Sequence, residues 1–370
     1  MKKFGMAAMS LLFFGAGWLF GWVQRTPQDL IRQRIAAPAG GEFLDVQIVT
    51  KHDDRLLQIL ALRRSAARTS LGVRGTGQTG AALGLWHAYQ APDGSWVSNG
   101  TVYEWPAQGS GAKAALGNLR LAAASDKSGR LHAVVLDAKG GGWCLYLLRG
   151  ADSQWRASEI ELLAERLDEP CLVPHPESES VVLIGLAGGT RPAGYELSLT
   201  ARSGEGEFFW AKDEYPAELR AASYAVTRDD RYLFFLFQIP GGEFRGAERH
   251  ITSGKWLLEP QKFMRGFRDP IGGAELRSLS GFRDAGGLMQ VVGLAGGGGV
   301  VHIYRDEIGT WYNNGIALKA PALSRISGAV DGRGLIHVVG LTEDGRIWHG
   351  WRAESHEWRD NGIIFEQHSK

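Results

Sequence analysis

The sequence predicts an all-β chain closed into a six-bladed β-propeller of four-stranded antiparallel blades, preceded by an N-terminal signal-anchor or signal-peptide helix. Three observations predict it. The apolar runs are short, β-branched and bounded by Gly or Asp, which suits strands and excludes long amphipathic helices. The 51 glycines scatter between those runs with no Gly-X-Y period, the texture of many tight turns. Finally, tryptophans recur like marks on a ruler. Trp96, Trp155, Trp210, Trp256, Trp311 and Trp358 are spaced 59, 55, 46, 55 and 47 residues apart, and each is expected to open the last strand of a repeat.

The repeat begins after a distinct leader. Following Lys2 and Lys3, residues 4–23 carry no charge. Residues 6–14 with the small Gly15-Ala16-Gly17 have the layout of a cleaved signal peptide. The apolar run continues to Val23, with Trp18 and Trp22 where interface anchors would stand, and so reaches the ~20 residues that span a bilayer. Both readings stay open. Either implies export to the periplasm or cell surface, the second with the protein held on the inner membrane by residues 4–23. Lys2 and Lys3 face Arg25, Arg32 and Arg34 across the segment, so the positive-inside rule leaves orientation undecided. The chain then divides into a leader (1–25), a linker (26–41), the propeller (42–366) and a short tail (367–370).

Three segments align best: "GRLHAVVLDAKGGGWCLYLLRGADSQWRASEIEL" from Gly129, "GGLMQVVGLAGGGGVVHIYRDEIGTWYNNGIAL" from Gly286 and "GRGLIHVVGLTEDGRIWHGWRAESHEWRDNGIIF" from Gly332. Each reads turn, β-branched run, Gly-rich turn, aromatic run, polar turn, Trp and closing strand. A looser copy starts at Asp54, and two weaker copies lie between. One further strand precedes each copy: "FLDVQIVT", "NLRLAAAS", "CLVPH", "LRAASYAVT", "LRSLSGF" and "LSRISGAV". Four short strands at a period near fifty is the signature of a propeller blade, and a closed ring leaves no long exposed edge. The default role of the six tryptophans is packing between blades.

Composition narrows the function classes. Lys plus Arg and Asp plus Glu nearly cancel to a net charge of +1, so the basic excess of a nucleic-acid binder is missing. Cys144 and Cys171 have no close His at ligand spacing; they form one disulfide in an exported chain or two buried thiols. No Walker-type loop, dinucleotide fingerprint, HExxH or EF-hand appears, so no cofactor or metal is expected.

The segments "LWHAYQAPDGSW" (85–96) and "VVGLTEDGRIWHGWRAESHEW" (338–358) share a turn, a strand with Trp-His, an aromatic, a short loop and Trp. In this they resemble units of the PLL-like and tectonin-like group of propeller lectins and, more distantly, the six-bladed fucose-binding lectins. The resemblance implies a lectin-like carbohydrate-binding module acting at the cell envelope. Fucose-binding lectins place an Arg and a Glu beside an aromatic in each blade. The third strands here read LWHAYQ, WCLYLLR, YELSLTA, ERHIT, VHIYRD and IWHGWR, in which no Arg/Glu pair recurs, so fucose specificity is not expected to carry over.

Two candidate sites follow. Trp86-His87 and Trp348-His349 occupy the same unit position in blades 1 and 6, which a ring makes neighbours; with Trp351 they would form a glycan site between those blades, Trp stacking on sugar and His donating hydrogen bonds. Inter-blade packing is the alternative. Arg120, Arg220 and Arg277 stand in Leu-Arg dipeptides near the start of first strands, and Arg325 sits one residue displaced. At one height of the central channel they would form an anion-binding ring, unless neighbours such as Glu218 and Glu275 pair with them. His132, His337, Gln58 and Gln290 share one repeat position and suggest a hydrogen-bonding role within the blade. Asp126 and Asp331 sit at turns, where Asp is commonplace. The functional expectations are glycan binding; alternatively, a protein-interaction platform for envelope assembly; and third, a sialidase-like glycoside hydrolase.

Overall fold

The computed structural model describes residues 35–36, 41–52, 54–65, 83–105, 118–137, 143–150, 153–161, 166–175, 180–200, 207–213, 215–216, 219–258, 264–265 and 275–366. The expected leader lies outside them. Among the described residues no helix is long and apolar enough to cross a membrane.

Six antiparallel sheets of four consecutive strands make up the described chain. A first short strand, β1 (Ile35–Ala36), precedes them. Blade 1 is β2 (Gly41–Thr50), β3 (Leu57–Ser65), β4 (Leu83–Gln90) and β5 (Trp96–Trp105). Blade 2 is β6 (Leu119–Ser125), β7 (Leu131–Asp137), β8 (Trp143–Arg149) and β9 (Trp155–Glu161). Blade 3 is β10 (Leu167–Pro174), β11 (Val181–Ala187), β12 (Arg191–Thr200) and β13 (Glu207–Asp213). Blade 4 is β14 (Ser223–Arg228), β15 (Tyr232–Gln238), β16 (Phe244–His250) and β17 (Trp256–Leu258). After β18 (Met264–Arg265), blade 5 is β19 (Leu276–Arg283), β20 (Met289–Ala295), β21 (Val300–Arg305) and β22 (Trp311–Leu318). Blade 6 is β23 (Leu323–Val330), β24 (Ile336–Thr342), β25 (Ile347–Arg352) and β26 (Trp358–Glu366). β1 adds to the outer edge of blade 6 and β18 to that of blade 5, both in parallel, so part of the segment expected as linker is a fifth strand.

The first strands form the inner wall: β2, β6, β10, β14, β19 and β23 each touch the next, and β23 touches β2. The circle is closed, with blades 1 and 6 side by side. Neighbouring blades are joined near the bore by side chains reaching to the backbone of the next inner strand, three of them from inner strands and one, Gln238, from the end of β15. Asp45 Oδ2 accepts from Leu121 N (2.9 Å), Ser327 Oγ from Ile48 N (3.1 Å), Ser280 Oγ from Gly328 N (3.0 Å) and Gln238 Oε1 from Leu276 N (2.9 Å). Where backbones come closest only glycine fits: a Cβ on Gly281 would lie 2.7 Å from Val226 O.

The hydrophobic core is divided among the junctions. Phe43, Trp86 and Phe365 pack between blades 1 and 6; Leu62, Leu121 and Val135 between 1 and 2; Val134, Leu183 and Tyr195 between 2 and 3. Ile184, Tyr224 and Phe235 fill junction 3–4, Leu236, Val291 and Trp311 junction 4–5, and Val292, Val338 and Trp348 junction 5–6. Second strands are sandwiched on both faces: all seven residues of β11 and of β20 are buried, every one apolar in β11 and all but Gln290 in β20.

The repeat tryptophans take their expected place at three junctions. Trp96 meets His349 of blade 6 (5.5 Å), Trp155 meets His87 of blade 1 (6.3 Å) and Trp358 meets His302 of blade 5 (5.4 Å), all edge-to-face. Trp311 is fully buried, whereas Trp256 packs on Phe235 of its own blade. Trp210 falls in the middle of β13 and does not open it.

Two first strands differ from expectation. β10 starts at Leu167, four residues before "CLVPH", because a bulge between Asp168 and Cys171, with Pro170 inside it, breaks the alternation. β14 starts at Ser223, leaving Leu219 to Ala222 outside the sheet.

Candidate functional site

Three blades carry a polar file across strands two, three and four, buried at strands two and three and reaching solvent at the Asn of strand four, and blade 2 has a related buried set. In blade 1, His87 Nε2 donates to Gln58 Oε1 (2.8 Å) and Nδ1 accepts from Asn99 Nδ2 (2.9 Å). Blade 5 repeats it with Gln290, His302 and Asn314 at 2.8 and 3.0 Å. In blade 6 His337 replaces the glutamine: His349 Nε2 donates to His337 Nδ1 (3.0 Å), Asn361 Nδ2 donates to His349 Nδ1 (2.8 Å), and His337 Nε2 lies 3.4 Å from Asp331. Blade 2 has His132 between Tyr146 and Asp126, at 2.7 and 3.1 Å. The shared hydrogen-bonding role read from the repeat position is what these residues perform.

Both ring nitrogens of His87 and His302 are occupied, one as donor and one as acceptor, which requires neutral imidazole. Burial pushes both down to about 3, helped by the charge of Arg149 near His87 and of Arg352 near His302. Burial and His337 hold His349 well below the usual histidine range. None of His87, His302 and His349 has a hydrogen bond left for a ligand.

This corrects the site expected between blades 6 and 1. The ring brings its residues together, but as core. Trp86 is 0 % and Trp348 1 % exposed, and His87 and His349 are buried with them. Trp86 lies between Phe43 (5.2 Å) and Phe365 (4.6 Å). Trp348 Nε1 donates to Asp360 (2.7 Å) and Trp351 Nε1 to Asn361 (3.1 Å), while Arg359 covers the Trp351 ring at 5.3 Å. No ring face is left for a sugar. The Trp-His pairs recur because the blade junction needs them.

The arginines do not make a uniform ring either. The start of the first strands gathers Asp45, Arg120, Asp168, Glu169, Arg277 and Arg325 at one mouth of the bore, a mixed set of charges. Arg325 of blade 6 reaches Glu169 of blade 3, the blade directly opposite, by two parallel hydrogen bonds of 3.1 and 3.3 Å. The pair forms a crossbar over the bore. Arg325 also stands 4.0 Å from Asp45, whose carboxylate is 1 % exposed and pushed up by burial against the pull of Arg325. Arg120 lies among Asp45, Glu169 and Asp168 and donates to Leu119 O (2.9 Å). Arg220, outside β14, and Arg277 are exposed.

A candidate site not anticipated from sequence is the cleft between blades 4 and 5, on the face where first strands end. Here a cavity of about 590 Å³ is lined by Tyr232, Phe234, Glu248, Arg283, Arg305 and Asp306, among others. β16 delivers Glu248 from blade 4 and β21 delivers Arg305 from blade 5; the two form an ion pair. The Arg305 guanidinium also stands 5.0 Å over the Phe234 ring, a cation–π contact that fixes its plane. Tyr232 lies edge-on to His250 at 5.1 Å, and Ile308, 78 % exposed, forms the lip. Asp229 and Asp306 shape the rims by capping turns, Asp306 Oδ1 accepting from Thr310 N at 2.7 Å and Asp229 Oδ1 from Tyr232 N at 2.7 Å. A planar donor fork, an adjacent carboxylate and aromatic faces in a shallow cleft are the chemistry that grips vicinal hydroxyls.

The junction between blades 3 and 4 holds a smaller version, a cavity of about 50 Å³ lined by His175, Glu196 and Arg249. Comparing third strands one by one missed these sets, because the Glu comes from one blade and the Arg from the next. A signal was present: Arg149, Arg305 and Arg352 each close the third strand of their blade.

Among the described residues no group of three or more His, Cys, Asp or Glu is placed to hold a metal ion. Cys144 and Cys171 are free thiols, and burial pushes Cys171 up to about 12. Asp126 and Asp331 cap turns, each Oδ1 accepting two backbone N–H bonds at 2.9–3.0 Å.

No protein-family profile matches the chain, and no curated relative matches it by sequence. Solved structures do. A mutant of the Aleuria aurantia lectin in complex with Fucα1-6GlcNAc superposes with a TM-score of 0.58 at 11% identity, covering 89% of this chain and 97% of that one. The lectin SapL1 in complex with α-methyl fucoside gives 0.55 at 12% identity, covering 90% and 98%. AofleA from Arthrobotrys oligospora gives 0.52 at 13% identity, covering 88% and 86%. The class of protein is therefore defined at the level of fold: an all-β, six-bladed propeller. The likeness is to the six-bladed fucose lectins, the more distant of the two resemblances drawn from the sequence.

Proposed function

We propose that the protein is a lectin-like glycan-binding module and that its ligand sits in the cleft between blades 4 and 5. The observation that carries this is the convergence of Arg305, Glu248, Phe234 and Tyr232 in one cavity from two blades. Arg305 and Glu248 supply donor and acceptor to neighbouring hydroxyls, and the aromatic faces take the apolar side of the ring. The structural neighbours solved with fucosides make fucosylated glycans the first ligands to test. A glycan array on the propeller should show retention that is abolished in Arg305→Ala and strongly reduced in Glu248→Gln, with both variants folded. Unchanged retention in both would remove the site.

The uncharged segment 4–23 supports export, with tethering to the inner membrane where the leader stays uncleaved. Cell fractionation with and without residues 1–25 checks both. A second reading, a platform for an envelope protein, is favoured by one observation: Leu257 and Leu258 on the outer strand of blade 4 and Ile316 on that of blade 5 are exposed. Its signature would be a silent glycan array together with loss of envelope retention in Leu257→Glu.

A further inference from the structure

The charged mouth of the bore is asymmetric. Around blades 6, 1, 2 and 3 every charge is answered, since Arg325 holds Glu169 and approaches Asp45, and Arg120 lies among three carboxylates. Around blades 4 and 5 it opens into a cavity of about 530 Å³, lined by Glu169, Ser223, Glu275, Leu276, Arg277 and Ser278 among others. That volume falls within the range of about 300–1,000 Å³ usual for small-molecule sites. Arg277 and Glu275 are exposed, and among the described residues no ion pair holds either. Arg220, also exposed, precedes the lining residue Ala222 by two positions.

Backbone strain is concentrated on the same cavity. Glu169 and Ser278 have φ of 50° and 51°, a left-handed conformation that side-chain-bearing residues rarely adopt, and each sits at a bulge of its inner strand. Neighbouring blades hold both in place. The Tyr224 hydroxyl reaches Glu169 O (2.7 Å), and Ser278 Oγ accepts from Ile326 N (3.3 Å). Strain over-determined by its surroundings is characteristic of ligand sites.

We infer that this cavity is a second ligand site, separate from the cleft between blades 4 and 5, and that it takes a small polyhydroxylated carboxylate. The carboxylate lies on the Arg277 guanidinium, with Arg220 adding to the field, and ligand hydroxyls donate to Glu275. The residues discriminate against the simpler alternatives. A neutral sugar leaves Arg277 unanswered. A bare anion sets its charge against Glu275 and gives that carboxylate no donor. The Ser223 hydroxyl is committed to Gln238 and Leu276 O, so the guanidinium holds the anionic head.

Isothermal titration of the full chain with D-glucuronate, D-glucose and inorganic phosphate tests the inference. Glucuronate should bind saturably and at least about tenfold more tightly than either other probe, weakening as salt is raised. Arg277→Ala should lose about tenfold or more and Arg277→Lys part of that, with unchanged melting temperature because Arg277 is exposed. Glu248→Gln, in the other cleft, should leave glucuronate binding intact, so a silent glycan array removes only the cleft between blades 4 and 5 and a silent glucuronate titration only the bore cavity. No saturable glucuronate signal, equal binding of glucose or phosphate, or an unchanged Arg277→Ala would overturn the inference, as would loss in Glu248→Gln.

Discussion

Replacing Arg325 by Met cuts the crossbar while keeping most of the side-chain volume. Two carboxylates lose the cation that contacts them, with Arg120 left as the more distant charge. Glu169, with its side chain 29 % exposed, is largely rehydrated, whereas Asp45 is 1 % exposed and stays in place, held by Leu121 N and Val46 N. Removing one partner of a fully buried pair costs about 3–5 kcal/mol; with one of the two carboxylates open to water, the expected loss at pH 7 is about 2–4 kcal/mol. At about 2 °C per kcal/mol for a chain of this size, melting should fall by roughly 4–8 °C. The pH dependence gives the sharper check. Burial already raises the Asp45 pKa, and Arg325 is the largest influence opposing it. A carboxylate with a raised folded pKa contributes stability below its unfolded value of about 3.9 and loses it as pH rises through the folded value. Without Arg325 the folded value rises further, so the deficit against wild type is largest at pH 7 and shrinks toward pH 4. Urea unfolding of both proteins at several pH values measures it. A deficit under about 0.5 kcal/mol at pH 7, or one that grows on acidification, would refute the reasoning.

Other outcomes follow from the same structure. His87 and His302 have folded pKa values near 3, so the folded protein refuses protons that the unfolded chain takes up below about 6.5; stability should fall as pH drops through that window, by up to ~2 kcal/mol per histidine at pH 5, and His302→Gln should flatten the urea-midpoint profile. Trp348→Ala should cost about 3–5 kcal/mol in urea unfolding yet leave glycan retention per folded molecule unchanged, because the ring is core. Gly281→Ala sets a Cβ 2.7 Å from Val226 O, a backbone atom that cannot step aside, and should destabilise by about 1–3 kcal/mol, read by the same unfolding assay. Cys171 should resist thiol reagents until the protein unfolds.

The architecture was legible because a propeller writes its period into the chain. The positions opening β5, β9, β17, β22 and β26 are all tryptophan, and the turns between strands announce themselves by Asp and Gly. The start of β10 was not legible, since a bulge carrying Pro170 erases the alternation on which a strand is recognised. The placement of the site from sequence went astray for a related reason. Trp86, His87, Trp348, His349 and Trp351 stood out by repetition, but repetition marks whatever every junction must pack. The cleft proposed as the ligand site is built instead from residues that differ between blades, such as Glu248 and Arg305. These meet only after the ring forms, and no comparison along a single strand brings them together.

Every sheet in this ring is one unbroken stretch of chain, β2 to β5 for the first and β23 to β26 for the last, and no blade borrows its main strands from both ends of the sequence. Closure therefore depends on side chains at the seam between Trp86 and Phe365, plus the two-residue clasp of Ile35–Ala36 on β26. The seam is then closed in the same manner as the other five junctions, by side-chain packing, and the order of blades along the chain could begin at any of them. Joining residue 366 to residue 41 and opening the chain in the connection between any two sheets should yield a rearranged protein that still assembles.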